Sequence, residues 1–219
     1  MEFNALNDFL RQLSDNNHKV WFDAHREVYT PLRNNFIAFV DELVDGISLN
    51  DPSLSGLQGK NCIFRINRDV RFSANKNPYK TNFSAYLSKG GKKFPGAGYY
   101  FHFEPGKSFL AAGIWMPEPE LLKAIRQEID YGWADFSAIL QRAQSEGLRF
   151  EGEKLSRPPK GYEADNPAID ILKSKSFVLT QPFDMLMGEP KLKELLIGKA
   201  RELKPFVDFL NQGFDPSSD

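Results

Sequence analysis

The chain opens with apolar residues at helical spacing, because Leu6, Phe9, Leu10 and Leu13 fall on one face of a helix. Asn16-Asn17 then offers a stop and a new N-cap, followed by a short helix carrying Trp21, Phe22, Ala24, His25 and Val28. Thr30-Pro31 reads as N-cap and first position of a third helix. In it Leu32, Phe36, Phe39, Val40, Leu43, Val44 and Ile47 keep an apolar stripe. From Ser48 to Gly59 the composition turns to Gly, Ser, Asn, Asp and Pro, a connecting loop.

After this loop the period changes to two. Asn61–Phe72 is rich in β-branched and aromatic residues, and Asn82–Ser88 sets Phe83, Ala85 and Leu87 against Ser84 and Tyr86. Two further strands, Tyr99–Phe103 and Ser108–Trp115, flank Glu104-Pro105-Gly106-Lys107, a hairpin turn. Pro117-Glu118-Pro119 ends the sheet region and opens a helix with Leu121, Leu122, Ile125 and Ile129. A second helix carries Trp133, Phe136, Ile139, Leu140 and Ala143 and ends at Gly147. Leu148–Leu155 reads as a strand, 168–173 as a short helix and Phe177–Thr180 as a strand. The last main helix is expected over Lys191–Leu203, with Pro205 kinking or restarting it. No internal repeat or long linker divides the chain, so residues 1–219 are read as one domain. The class is α+β: a helical N-terminus, a central, mostly antiparallel meander, and helices packed on it and at the C-terminus.

Composition changes this picture little. A chain of 219 residues with 41% hydrophobic and 26% charged residues is long enough for a sizeable core. Its 19 Phe against 4 Met point to rigid rings in that core. The single cysteine, Cys62, excludes an intramolecular disulfide and suits a reducing compartment. The first residues lack a basic region followed by an apolar run, and no apolar stretch approaches the roughly 20 residues of a membrane span. The expected location is cytoplasmic, with no membrane partner.

Charge changes it more. Between Lys60 and Lys93 stand nine basic residues, Lys60, Arg65, Arg68, Arg71, Lys76, Lys80, Lys89, Lys92 and Lys93, against one acid, Asp69. The whole chain carries a formal net charge of −1. So strong a local excess points to an anion. If Cys62–Phe72 is extended, Arg68 falls on the face of Cys62, Phe64, Ile66, Val70 and Phe72, where a guanidinium needs a partner. Either the chain turns at Asp69, or Arg68 reaches a carboxylate or a bound anion. The loop Ser73–Lys80 presents lysines and backbone N–H groups, and arginine forks with lysine charges suit phosphate or carboxylate.

The sequence Asn67-Arg68-Asp69-Val70-Arg71-Phe72-Ser73, followed by Lys76-Asn77-Pro78-Tyr79-Lys80, resembles the central signature of a microbial family of unknown function, DUF2461. Phe9-Leu10, Asn16-Asn17 and Trp21-Phe22 are similar to its opening pattern. So are Gly113-Ile114-Trp115-Met116-Pro117, Arg157-Pro158-Pro159-Lys160-Gly161-Tyr162 and Asn166-Pro167. The resemblance implies membership and supplies no activity, substrate or cofactor. It marks Arg68, Asp69, Arg71, Lys76, Tyr79 and Lys80 as signature positions, with Arg157 and Lys160 as a secondary set.

Familiar chemistry is missing from the pattern. The three histidines, His18, His25 and His102, form no metal-ligand spacing, and neither HExxH, CxxC nor GxSxG occurs. Gly106-Lys107-Ser108 lacks the upstream glycine of a P-loop and lies in a hairpin turn. His25 reads as helix packing, His102 as sheet surface and Cys62 as core. The glycines around Lys92-Lys93-Phe94-Pro95 offer a closing loop or, more simply, a long hairpin connection. No cofactor and no metal are expected.

Three readings follow. The leading one is a site for a small phosphorylated or carboxylated ligand, built from Arg65, Arg68, Arg71, Lys76, Tyr79 and Lys80, with Arg157 and Lys160 as further candidates. Asp69 orients an arginine there or acts as acid/base. The second is a nucleic-acid or nucleotide module in which Phe72, Tyr79, Phe83 and Tyr86 stack on bases. The third is a scaffold whose basic strand pairs with acidic helices such as Asp41-Glu42. Neither turnover nor oligomeric state follows from the sequence.

Overall fold

The computed structural model describes residues 1–212. Helix α1 (Phe3–Asp15) buries Phe3, Leu6, Phe9, Leu10 and Leu13, the expected stripe. It ends at Asn16, but the cap of α2 (Lys19–Ala24) is His18, whose ring accepts the Trp21 N–H at 3.3 Å. Helix α3 (Arg26–Ser48) starts before the expected Thr30-Pro31 boundary and holds Pro31 inside it. The His25 carbonyl already accepts the N–H groups of Val28 and Tyr29, so the helix is under way when it reaches the proline. Its stripe from Leu32 to Ile47 is buried as expected.

The strand expected over Asn61–Phe72 does not form. Asp41 accepts the Gly59 N–H at 2.5 Å and starts one short helical turn, α4 (Gly59–Cys62). The chain then makes only isolated antiparallel bridges, Ile63↔Ala85 and Asn67↔Tyr79. Burial follows these bridges: Cys62, Ile63 and Ile66 are buried, whereas Phe64 is partly exposed and Phe72 stands 97% exposed. Residues 66–80 are a wide loop closed by paired limbs.

Five strands follow: β1 (Phe83–Leu87), β2 (Gly98–Phe103), β3 (Phe109–Ile114), β4 (Arg149–Glu151) and β5 (Phe177–Pro182). They form one antiparallel sheet in the order β1-β2-β3-β5-β4. β4 pairs with β5 in the register Arg149↔Thr180, Phe150↔Leu179 and Glu151↔Val178. The β2–β3 turn is the expected one, with Lys107 N–H on the Glu104 carbonyl at 3.0 Å and Gly106 at φ 71°. With helices at both ends, the fold is α+β.

The chain divides into two compact units. The first comprises Met1–Lys92, Tyr100–Leu110 and Pro182–Lys199. Its core is a lattice of rings: Phe3 meets Phe39 edge-on at 5.1 Å and stacks on Phe103 at 5.5 Å, while Phe36 contacts Phe83 and Phe103, both at 5.3 Å. Such offset and T-shaped contacts add to what area burial contributes.

Among the described residues the second unit comprises Lys93–Tyr99, Ala111–Gln181 and the chain from Ala200 to Gln212. Helix α5 (Pro119–Tyr131) begins with proline at its first position and buries Leu121, Ile125 and Ile129. Helix α6 (Trp133–Ser145) buries Phe136, Leu140 and Ala143, and α7 (Ile169–Leu172) is a single turn. Gly113 at φ 126° lets β3 approach β5, because a Cβ there would lie 2.0 Å from the Phe177 carbonyl oxygen.

Helix α8 (Glu189–Gln212) is longer than expected and runs on through Pro205. Beyond the proline, Phe206, Val207, Phe209 and Leu210 are all buried, and this apolar stripe outweighs the lost backbone bond. No helix among the described residues is long and apolar enough to cross a membrane.

Candidate functional site

All of the basic segment but Lys93 lies in the first unit, and six of its nine cations separate into two groups. The first closes the wide loop upon itself. Arg68 donates to the Asn77 carbonyl at 3.0 Å and to Ser73 Oγ at 3.3 Å, so of the two expected outcomes the chain turns, and among the described residues no carboxylate meets this guanidinium. Arg71 forks onto Asp69 through Nε–Oδ1 at 3.0 Å and a second bond to Oδ2 at 2.6 Å, in the open. Side-chain and backbone bonds from Arg71 hold the Asp69 carboxyl below its ordinary range, which suits orienting an arginine rather than supplying a proton. Lys76 donates to the Val70 carbonyl at 3.0 Å.

Tyr79 anchors this loop. Its ring is buried and stacks on Phe22 at 4.1 Å, while Asn17 grips its peptide from both sides. Asn17 Nδ2 donates to the Tyr79 carbonyl and Asn17 Oδ1 accepts the Tyr79 N–H, each at 3.0 Å.

The second group gathers around Phe64. Lys80 Nζ lies 5.1 Å and Lys92 Nζ 5.3 Å from the centre of that ring. Lys92 also donates to the Ile63 carbonyl. Burial pushes the Lys80 amine below its ordinary range, and the nearby charges of Arg65 and Lys92 push it further. Lys92 is lowered as well, chiefly by burial. Among the described residues no carboxylate forms an ion pair with Lys80 or Lys92, and Arg65 acts on Asp69 through its charge without an ion pair. The acids expected to neutralise the segment are engaged elsewhere, Asp41 on the Gly59 N–H and Glu42 on Lys193.

Beside this cluster runs a chain of polar side chains on β2 and the turn after it. Tyr100 contacts Phe64 edge-on at 6.1 Å, and its hydroxyl lies 3.0 Å from His102 Nδ1. His102 Nε2 lies 3.1 Å from Glu104, whose other oxygen accepts the Thr81 hydroxyl at 2.7 Å. His102 stacks on Phe109 at 4.8 Å. Neither Lys92 nor this chain belonged to the expected site. The spacing 100/102/104 was a visible signal that these side chains share one face of a strand.

Arg157 and Lys160 are exposed on the loop that follows β4, in the second unit. Of the four rings considered for base stacking, Tyr79 and Phe83 are buried and Tyr86 is largely covered. Phe72 alone is fully open, with the Arg71 guanidinium 5.8 Å from its centre. The Cys62 thiol is buried and raised by that burial. No group of three or more His, Cys, Asp or Glu side chains among the described residues is placed to hold a metal ion.

No curated protein and no solved structure matches the chain. The model of one family, described as a conserved hypothetical protein (DUF2461), matches residues 5–209, which take in the wide loop, the Phe64 cluster and every signature segment named above. The chain therefore belongs to the DUF2461 family.

Proposed function

We propose that this protein binds a small phosphorylated or carboxylated molecule at the cations around Phe64, with Lys80 and Lys92 as the principal contacts and Arg65 beside them. The observation that carries this reading is the missing counter-charge. Lys80 and Lys92 lie over one ring, both partly desolvated, with the exposed Arg65 acting on Lys80 through its charge, and no carboxylate among the described residues forms an ion pair with either lysine. Like charges in such a setting repel, and the repulsion is relieved when an anion enters. Arg68, Arg71 and Lys76 serve the same site indirectly, by shaping the loop whose returning limb delivers Lys80.

A second reading has one observation of its own. Phe72, open beside Arg71 at the loop's far end, offers a stacking surface for a nucleobase. The net charge of −1 weighs against general affinity for nucleic acid.

Thermal-shift titrations with phosphate, sugar phosphates, dicarboxylates and short oligonucleotides test both. A ligand at about 100 times its dissociation constant adds about 2.7 kcal/mol and raises the melting temperature. The expected result is stabilisation by small anions that Lys80→Met with Lys92→Met abolishes and Phe72→Ala leaves intact. Stabilisation by oligonucleotides alone, lost in Phe72→Ala, supports the second reading. No stabilisation by any anion overturns both.

A further inference from the structure

The polar chain on β2 restricts which anions the site takes. A carboxylate accepts hydrogen bonds and cannot donate, so the His102 nitrogen facing Glu104 is the one that carries hydrogen. In the neutral imidazole Nδ1 is then a bare acceptor. Tyr100 has one hydroxyl hydrogen, and Nδ1 at 3.0 Å takes it. A flipped imidazole would turn carbon toward both Tyr100 and Glu104, so the two hydrogen bonds themselves fix the ring's orientation. Tyr100 therefore faces its surroundings as an acceptor only. With its hydrogen given to Nδ1, the phenol oxygen has only lone pairs to offer a ligand.

We infer that the ligand bound by Lys80 and Lys92 carries its own hydrogen-bond donor, a hydroxyl group that Tyr100 accepts, so that the preferred class is a small hydroxylated anion such as a hydroxy acid or a protonated phosphate. The inference rests on the anion site proposed above and adds its selectivity. Phe64 ties the two together, since its ring lies under both amines and against the Tyr100 ring. An anion with acceptors only would set a lone pair against the lone pair of Tyr100. A hydroxylated anion completes the series from ligand to Tyr100, His102 and Glu104, every member donating in the same direction. Burial raises the Tyr100 phenol above its ordinary range, which keeps it a neutral hydroxyl and not a competing anion. Tyr100 acts here as a selectivity residue, with His102 and Glu104 positioning its hydrogen.

Matched pairs of probes test this by nuclear magnetic resonance titration of the full chain. Glycolate is compared with methoxyacetate, and phosphate with sulfate, on wild type, Tyr100→Phe and the Lys80→Met/Lys92→Met double variant. One hydrogen bond corresponds to a preference of about tenfold at most and about twofold at least. Wild type is expected to favour glycolate and phosphate within that range. Tyr100→Phe is expected to bind both members of each pair alike, with the lysines still required. Equal affinities in wild type, or a preference that survives Tyr100→Phe, overturn the inference while leaving the anion site standing. Failure of all four probes on wild type removes the anion site and the inference with it.

Nitrogen-15 spectra of His102 give a second readout that does not depend on the variants folding. Hydrogen on Nε2 and a bare Nδ1 are expected in the neutral ring. Hydrogen on Nδ1 instead would make Tyr100 a donor and overturn the inference directly.

Discussion

Asn17 carries more of the site than its place between two helices suggests. Its amide pairs both the backbone N–H and the backbone C=O of Tyr79, at 3.0 Å each, and Tyr79 is only 5% exposed. Asn17→Ala removes two hydrogen bonds, each contributing about 1 kcal/mol net, and leaves a peptide N–H and C=O in a place with little access to water. The expected loss is about 2–4 kcal/mol, which for a chain of this size lowers the melting temperature by roughly 5–12 °C. Asn17→Asp separates the two bonds. It retains an acceptor for the Tyr79 N–H but sets a carboxylate oxygen against the Tyr79 carbonyl, so it should fall at least half as far. Asn16→Ala is the control, because the Asn16 side chain only caps the exposed Gln12 carbonyl. Calorimetry with urea titration measures all three. A loss under about 0.5 kcal/mol for Asn17→Ala, or one equal to that of Asn16→Ala, would refute the clamp. Because Lys80 follows Tyr79 directly, a true clamp loss should also weaken the proposed anion binding by a protein that is still folded.

Three other outcomes follow from the same geometry. Gly113→Ala combines a left-handed backbone with a methyl group 2.0 Å from the Phe177 carbonyl oxygen, so it should cost more than about 4 kcal/mol; a soluble variant melting within a few degrees of wild type contradicts this. Ser174→Ala should be neutral or stabilise by up to about 1 kcal/mol, because the fully buried Ser174 hydroxyl has no partner among the described residues; a clear drop in melting temperature would reveal one. Without ligand, Lys80→Met should melt higher than wild type near neutral pH. The Lys80 pKa is depressed in the folded state relative to the ordinary 10.5, so its charged form opposes folding, fully so below the folded value. Wild type should then gain on the variant as pH rises through the window between the two values, and a widening gap in urea midpoints would refute the assignment.

Much of the fold was legible because burial obeys simple periods where elements are long. The stripes of α1 and α3 and the Glu104–Lys107 turn needed only the pattern of apolar and turn residues. Asn61–Phe72 was not legible. Its apolar residues mimic a strand, yet Cys62, Ile63 and Ile66 are buried by a helical turn and two separate bridges that depend on β1 and on Tyr79. Both prolines misled in the same way, because Pro31 and Pro205 lie in helices whose apolar stripes continue past them. The site was legible as charge and illegible as bookkeeping. Composition shows nine cations, but only the folded loop shows that Arg68, Arg71 and Lys76 are spent on closing it while Lys80 meets Lys92 over Phe64.

The chain's single thiol can serve as a clock for this region. Cys62 ends the α4 turn, is sealed from solvent, and feels the charge of Lys92. An alkylating reagent reaches it only when the Gly59–Cys62 turn opens, so the labelling rate of the native protein, divided by that of the unfolded chain, reads the opening equilibrium when reclosing is fast. No mutation or added probe is needed, since no other cysteine competes. An anion that holds Lys92 in place should slow this clock in proportion to its occupancy, turning one buried sulfur into an affinity meter for ligands that give no signal of their own.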